Sequence, residues 1–439
     1  MKQEININNR KGFFFGIDIP DEEFLVKCMH CGSCLPTCPT YKLTLLEKNS
    51  PRGRIRLIKS VLDQKLEITK NFYDEMYYCL DCQACESACP AGIKYGGLVE
   101  LARVQVDKTK FNNGLNKWIR KIVFEYIFIS KKRVKLLARL MRIYQRSGLR
   151  YLVRKLKVLK LFSDKLYNLE LLAPDISTDF TDEKYDIKIS PNGEVKYRVG
   201  FFYGCFMNVM FSDINDDTIK VLTENGCEIF IPQGQECCGS MHAHNGDLDT
   251  ARKLAKKNIE AFSKYDLDFI VVNAAGCSAF MKEYAHVFSD ENSFKKSAKN
   301  FSGIVVDVLE FLNSKMEKKP SNKVLKKVTY HDACHHVHTQ KIFDEPRNVI
   351  DMIPGVDYIA MKESTDCCGS AGVYNIINFY DSMKILDGKI KNIEETKADV
   401  VLISNPGCYV QIQYGLRRKN INNIEIMHPV SLLRKSYNI

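Results

Sequence analysis

Apolar residues recur with two different periods along this chain, and the change of period divides it. In SPRGRIRLIKSVLDQKLEI, Ile55, Leu57, Ile58 and Leu62 follow helical spacing from a start near Ser50 and Pro51. KKRVKLLARLMRIYQ and LRYLVRKLKVLKLF repeat that spacing, with Lys and Arg at the polar positions. Beyond residue 198 the pattern shortens to β-branched and aromatic runs: RVGFFY, CEIFI and DFIVVN, then KVTYH, DYIAM and ADVVLIS. Helical stretches from Ile214 to Thr223, from Ala251 to Phe262 and onward from Tyr409 separate them. Short strands alternating with helices predict a parallel sheet, and the pattern occurs twice. Residues 173–197, with Pro174, Pro191, Asn192 and Gly193 among acids, read as a linker.

Composition adds limits. A chain of 439 residues suits two or three domains, and 45% hydrophobic with 27% charged residues is ordinary for a soluble protein. The net charge of +11 is concentrated: residues 101–165 carry 19 Lys and Arg against Asp107, Glu125 and Asp164. One basic belt on an otherwise slightly acidic chain is a local docking feature, for an acidic protein surface or the inner face of a membrane, and not a nucleic-acid-binding composition. No run approaches the ~18 apolar residues of a membrane span. The polar start MKQEININNR lacks a signal-peptide core, which points to the cytoplasm. There, cysteines in C-x-x-C spacing, which occurs among the 17 of this chain, are metal ligands before they are disulfides.

Eight of those cysteines form two runs of C-x₂-C-x₂-C-x₃-C-P: Cys28, Cys31, Cys34, Cys38 and Cys79, Cys82, Cys85, Cys89, offset throughout by 51 residues. This spacing wraps [4Fe–4S] cubanes in bacterial-type ferredoxins, where the fourth cysteine of each run serves the other cluster. Cluster 1 is then expected on Cys28, Cys31, Cys34 and Cys89, and cluster 2 on Cys79, Cys82, Cys85 and Cys38. Arg52, Arg54 and Arg56 between the runs are read equally as partners of a reduced cluster or an acidic protein and as a solvated basic face.

Eight more cysteines repeat at offsets of 129 to 131: Cys205, Cys237, Cys238 and Cys277, then Cys334, Cys367, Cys368 and Cys408. Each set falls at predicted strand C-terminal ends, where open α/β sheets place their sites. Adjacent cysteines converge only in a turn, which Gly239 and Gly369 permit. Four thiolates suit one iron–sulfur cluster or a tetrahedral zinc. The same loops carry His242, His244, His331, His335, His336 and His338, read as hydrogen-bond donors rather than ligands. Cys227 reads as a buried structural cysteine.

These segments carry a resemblance. The Cys-Cys-Gly (CCG) repeats resemble the domain of heterodisulfide reductase catalytic subunits. The chain from about residue 20 onward is more similar still to the iron–sulfur subunit of glycolate oxidase and its relatives in lactate and anaerobic glycerol-3-phosphate dehydrogenases. SPRGRIRLIK, YQRSGLRYLVRK, NGCEIFIPQGQECCG, HDACH, CCGSAGVYN and NPGCYVQIQYGL carry it. It implies an electron-transfer subunit that takes electrons from the FAD of a partner oxidising a 2-hydroxy acid. An electron-transfer flavoprotein or a quinone would be its further electron partner. The heterodisulfide reductase motif ends in C-x-x-C, whereas this chain has Phe280 and Gln411 there, which weighs against a noncubane cluster and against the alternative of disulfide or quinone reduction at Cys237, Cys238, Cys367 or Cys368. No GxGxxG follows a strand, so no flavin of its own is expected.

The expected architecture is therefore α/β and α+β multidomain. An N-terminal arm (1–20, with Phe13, Phe14 and Phe15) leads into a helical two-[4Fe–4S] ferredoxin-like domain (21–103) carrying two [4Fe–4S] clusters. A basic helical connector (104–172) and the linker (173–197) follow. A pseudo-two-fold duplicated α/β CCG domain (198–318 and 319–439) would hold one or two further iron–sulfur clusters or a zinc.

Overall fold

The computed structural model describes residues 13–14, 16, 18–109, 121–288 and 294–437. Phe15 and residues 110–120 of the basic belt lie outside them. The chain forms two compact units, one of residues 1–125 with 240–250 and the other of 126–239 with 251–439.

The first unit is helical. Ser50 caps the helix Pro51–Leu62, its hydroxyl accepting from Gly53 N at 3.0 Å. Ile55, Ile58 and Val61 turn inward to pack with Phe72 and Met76 of Lys70–Tyr78 and with Leu98, Val99 and Ala102 of Tyr95–Asp107. The helix that opens this packing carries Arg54, whose side chain is 0% exposed. Its guanidinium donates to the Glu75 carbonyl (3.0 Å), the Asn49 carbonyl (2.9 Å) and Thr40 Oγ1 (3.2 Å). The reading of Arg54 as part of a solvated face is thereby corrected: five donors let an arginine be buried where carbonyls converge. The helix Ser240–His244 also belongs to this unit, so His242 and His244 leave the Cys-Cys-Gly loop they follow in sequence.

The second unit contains two sheets. Strands β1 (Lys188–Ile189), β2 (Tyr197–Phe202), β3 (Cys227–Phe230), β4 (Phe269–Val272) and β5 (Val305–Asp307) take the order β1-β3-β2-β4-β5. Strands β6 (Lys326–His331), β7 (Val356–Tyr358), β8 (Val400–Ile403) and β9 (Glu425–Met427) take the order β7-β6-β8-β9. All pairs are parallel except β1 with β3. Removing β1, an edge strand from the segment expected as a linker, leaves the same order twice. The register repeats too: Val199 pairs with Ile229 as Val328 pairs with Tyr358.

The lobes share one core, in which Val199, Phe201 and Ile229 join Val328, Val400 and Leu433. Helix Ser212–Glu224 packs on Pro429–Lys435, and helix Asp344–Asp351 packs on Val308–Lys315. These are one contact and its image under the pseudo-two-fold.

Candidate metal centres

In the first unit, the two C-x₂-C-x₂-C loops share a backbone device. His30 and Gly32 have φ of 53° and 89°, and Asp81 and Gln83, 51 positions later, have φ of 54° and 58°. Left-handed residues alternating with ordinary ones turn successive N–H groups inward, a nest suited to sulfide and thiolate. His and Asp are among the side chains that tolerate this conformation best.

Cys28, Cys31, Cys34 and Cys89 line one cavity of ≈ 40 Å³, with Cys85 at its wall. Burial pushes the Cys85 thiol well above its usual range, and Cys82, Cys79 and Cys38 push it the same way; Cys38 also acts on Cys34 of its own run. Cys89 of the second run thus lines the first run's cavity, and Cys38 of the first run comes near Cys85 of the second. Cys38 also contacts Thr40 Oγ1 (3.3 Å), and Tyr95 OH points at Cys79 Sγ (3.7 Å). Pro39 opens a helix, Pro39–Thr44.

Behind the second loop lies a buried charge cluster. Arg103 donates to the carbonyls of Cys79 (2.6 Å), Met76 (3.0 Å) and His244 (2.7 Å). His244 Nδ1 pairs with Glu100 and lies 3.4 Å from Asp81. Burial opposes charging its ring, but the two carboxylates outweigh burial and hold its pKa at about 10. A cation therefore stands beside this loop, which sequence reasoning had assigned to a different site.

In the second unit the eight remaining site cysteines gather by lobe. In the first lobe Cys205 Sγ lies 3.5 Å from Cys237 Sγ, and Cys238 Sγ 3.3 Å from Cys277 Sγ. The contact with Cys237, then burial, raises the Cys205 thiol well above its usual range. Asn258 Nδ2 donates to the Cys237 carbonyl (3.0 Å), and Tyr284 OH to that of Cys238 (2.7 Å). Lys131 and Lys135, at the start of the basic helix Lys131–Arg146, line a small cavity with Cys205, Cys237 and Tyr203. Part of the basic belt therefore faces this site.

In the second lobe Cys334 neighbours Cys367, and Cys368 neighbours Cys367 and Cys408. Asn405 Nδ2 points at Cys408 Sγ (3.6 Å), while its Oδ1 accepts from Gly276 N (3.1 Å), beside Cys277. One amide side chain thus touches both sites. The two glycines do what the turn requires: Gly239 and Gly369 have φ of 93° and 86°. A Cβ on Gly369 would stand 2.7 Å from the Ser382 carbonyl, and one on Gly239 3.3 Å from Ala251.

Where a fifth cysteine would stand, Phe280 meets Tyr284 edge-on and Gln411 bonds Asn375 (2.9 Å) and Ser382 (2.9 Å). Both positions are filled and buried. His336 bonds Asp307 at 2.8 Å. His331 is fully buried; burial pulls its pKa well below the usual value, and the nearby Lys389 pulls the same way. Cys227 is a buried thiol pushed up to about 12 by burial.

The donor sets fit the groups their spacing predicts: nests of N–H around two thiol sets in one unit, and four clustered thiols per lobe in the other. Comparison with known proteins gives the same division. Residues 25–93 match the 4Fe-4S dicluster domain, 199–282 and 328–413 the Cysteine-rich domain, and 115–173 the linker region of the glycolate oxidase iron-sulfur subunit. A Bacillus subtilis protein named probable glycolate oxidase iron-sulfur subunit is 38% identical over 94% of both chains. The chain belongs to the glycolate oxidase iron-sulfur subunit family. The Escherichia coli glycolate oxidase iron-sulfur subunit is 28% identical over 92% of this chain and 94% of its own. Lactate utilization protein A of Bacillus licheniformis is 28% identical over 54% of this chain and 98% of its own. The dicluster domain and the duplicated cysteine-rich domain matched here mark the chain as an iron–sulfur protein.

Proposed function

We propose that this chain is the electron-transfer subunit of a flavin-dependent dehydrogenase for a 2-hydroxy acid of the glycolate or lactate type. Electrons pass from the partner's FAD to two [4Fe–4S] clusters, then to the Cys-Cys-Gly centres, and then to an electron-transfer flavoprotein or quinone. The observation that supports this reading is that Cys89 lines one cavity with Cys28, Cys31 and Cys34 while Cys38 comes near Cys85 of the other run, as a crossed pair of clusters would require. Crossing keeps two clusters within one small helical unit, close enough for direct transfer between them.

When bound, the clusters supply one-electron redox chemistry; the protein's part is to hold them and set their charge environment. Arg54 faces Cys38 and Cys79, His244 stands behind the second loop, and Lys131 and Lys135 stand at the first lobe. Cations there favour the more negative, reduced state of a cluster. Among the described residues no helix is long and apolar enough to cross a membrane. The basic connector exposes Leu136, Leu140, Ile143, Leu152 and Leu156 among its Lys and Arg, and it is the dock for the flavoprotein.

Purified alone under anaerobic conditions, the protein is expected to be brown, free of flavin and inactive towards glycolate and lactate, and to gain cluster reduction by either acid only when the flavoprotein is added. Tightly bound FAD, or turnover by the chain alone, would refute the assignment.

A further inference from the structure

We propose that Lys389 makes the centre of the second Cys-Cys-Gly lobe the higher-potential one of the two, so that an electron crossing between the lobes comes to rest there before it leaves the chain. The inference rests on the proposed function, which places redox centres in both lobes, and it gives those centres an order. Lys389 is 2% exposed. Its helix, Phe379–Glu395, packs Met383, Leu386 and Ile390 into one core with Cys368 and Cys408. The ammonium donates to the carbonyls of Glu363 (2.7 Å) and Ser364 (3.2 Å), in the loop that leads into Cys367. Its charge acts on Cys334, Cys367 and Cys368, and Asp366 is the carboxylate that acts on it. An ammonium taken out of water is costly unless negative charge faces it. A thiolate-held centre that gains an electron supplies that charge, so Lys389 is better placed with the centre reduced than with it oxidised.

The first lobe is neutral at the same place. Asn258 occupies the place of Lys389: it lies seven residues after Ala251, which faces Gly239, as Lys389 lies seven after Ser382, which faces Gly369. Its amide donates to the Cys237 carbonyl (3.0 Å) and accepts from Glu236 N (2.8 Å). Both side chains hold the backbone that leads into a Cys-Cys-Gly turn, one with a charge and one without. Phe202 stands 129 positions before His331, the offset that separates Cys205 from Cys334. Burial and Lys389 itself keep His331 neutral, so the ammonium is the charge the second lobe adds. Lys131 and Lys135 reach the first lobe's cavity already paired: Asp182 lies 3.8 Å from Lys131 and 3.0 Å from Lys135, and Glu183 lies 2.7 Å from Lys135.

Hydrogen bonds to sulfur work in the same direction as nearby positive charge, since both stabilise the more negative state. In the second lobe Gly369 N donates to Cys367 Sγ (3.4 Å) and Asn405 Nδ2 to Cys408 Sγ (3.6 Å). Ala274, 131 positions before Asn405 as Cys277 is before Cys408, has no polar side chain to offer the first lobe. The two cysteine loops also adjoin. Gly276 N donates to Asn405 Oδ1 (3.1 Å), and Ala275 N donates to the Ser404 carbonyl (3.1 Å). Asn405 therefore gives a short hydrogen-bonded route from the Cys277 loop to the Cys408 sulfur. The transfer is of one electron: the first lobe's centre is oxidised, the second lobe's is reduced, and no bond is made or broken.

The test is a potentiometric titration of the full chain, purified anaerobically and followed by EPR, with each lobe's signal identified as the one that Cys238→Ser or Cys368→Ser removes. In the wild-type chain the second lobe's signal should appear at the higher potential. Lys389→Gln keeps a donor for the two carbonyls and removes the charge. At the wild-type midpoint it should lower the ratio of reduced to oxidised second-lobe centre at least about tenfold, about 59 mV for one electron, with iron content and the ferredoxin-type signals unchanged. Lys389→Arg, which keeps the charge, should stay within about threefold of wild type. An unmoved midpoint in Lys389→Gln, or a first lobe that is reduced at the higher potential, would overturn the proposal. So would loss of metal from both Lys389 variants, which would make the lysine a loop tether only. A lobe with no redox-active centre in the wild-type chain would instead sink the electron route on which the inference rests.

Discussion

At the residue scale, the division between legible and illegible positions follows from how much of a residue's role is local. The sixteen site cysteines were readable because ligand spacing is a property of the sequence itself. Gly239 and Gly369 were readable too, since adjacent cysteines can converge only in a turn. Arg54 and Lys389 were not. Their roles depend on carbonyls and sulfurs brought close by tertiary packing, and nothing within a few positions of each announces it. The glycines are also where substitution discriminates best. Alanine at either carries a left-handed strain of ~1–2 kcal/mol, but only at position 369 does the new Cβ meet a backbone carbonyl at 2.7 Å. Gly369→Ala is therefore expected to lower the denaturation midpoint and deplete metal from the second lobe, whereas Gly239→Ala, with 3.3 Å to its nearest neighbours, should retain most of its metal. Iron and zinc analysis of the two variants decides it, and equal retention would contradict the account.

At the element scale, apolar periodicity located the long helices and most strands, because their buried faces are written as spacing. It missed β1, β5 and β9, which lie at or near sheet edges and form where a neighbouring strand offers hydrogen bonds. It also placed Ser240–His244 with the lobe that precedes it, since a boundary crossed twice within eleven residues leaves no compositional trace. The helices after β5 and β9 start at corresponding caps, Asp307 and His428. His428 Nδ1 accepts from Val430 N at 3.1 Å, which requires that nitrogen unprotonated, and burial lowers its pKa to about 4 from 6.5. Between those values the unfolded chain binds the extra proton, so this contribution is complete above pH 6.5 and is lost as pH falls towards 4, by about 3 kcal/mol at most. Amide exchange at Val430 to Leu433 should accelerate over that window. In His428→Asn, whose side chain caps without titrating, the acceleration should disappear; an unchanged pH profile would contradict the cap's role.

At the scale of the whole molecule, the repeat offsets had already implied two duplications, and both appear as structure. The 51-residue repeat returns as matched left-handed residues in two cluster loops, and the longer repeat returns as one strand order built twice. What no offset reveals is how the copies diverged. Lobes that share an ancestor-like plan carry Phe202 and Asn258 in one and His331 and Lys389 in the other, and divergence of that kind follows from side-chain chemistry alone. The chain's overall role is that of a conductor whose substrate chemistry resides in a partner. That claim is tested most directly by mixing the anaerobic complex of this chain and the proposed flavoprotein partner with glycolate or lactate and following rapid-freeze EPR. The account predicts that reduced [4Fe–4S] signals appear at the rate of flavin oxidation, and that Cys79→Ser abolishes them while the flavin is still reduced by substrate. Clusters that stay oxidised while the complex turns over with its physiological acceptor would contradict it.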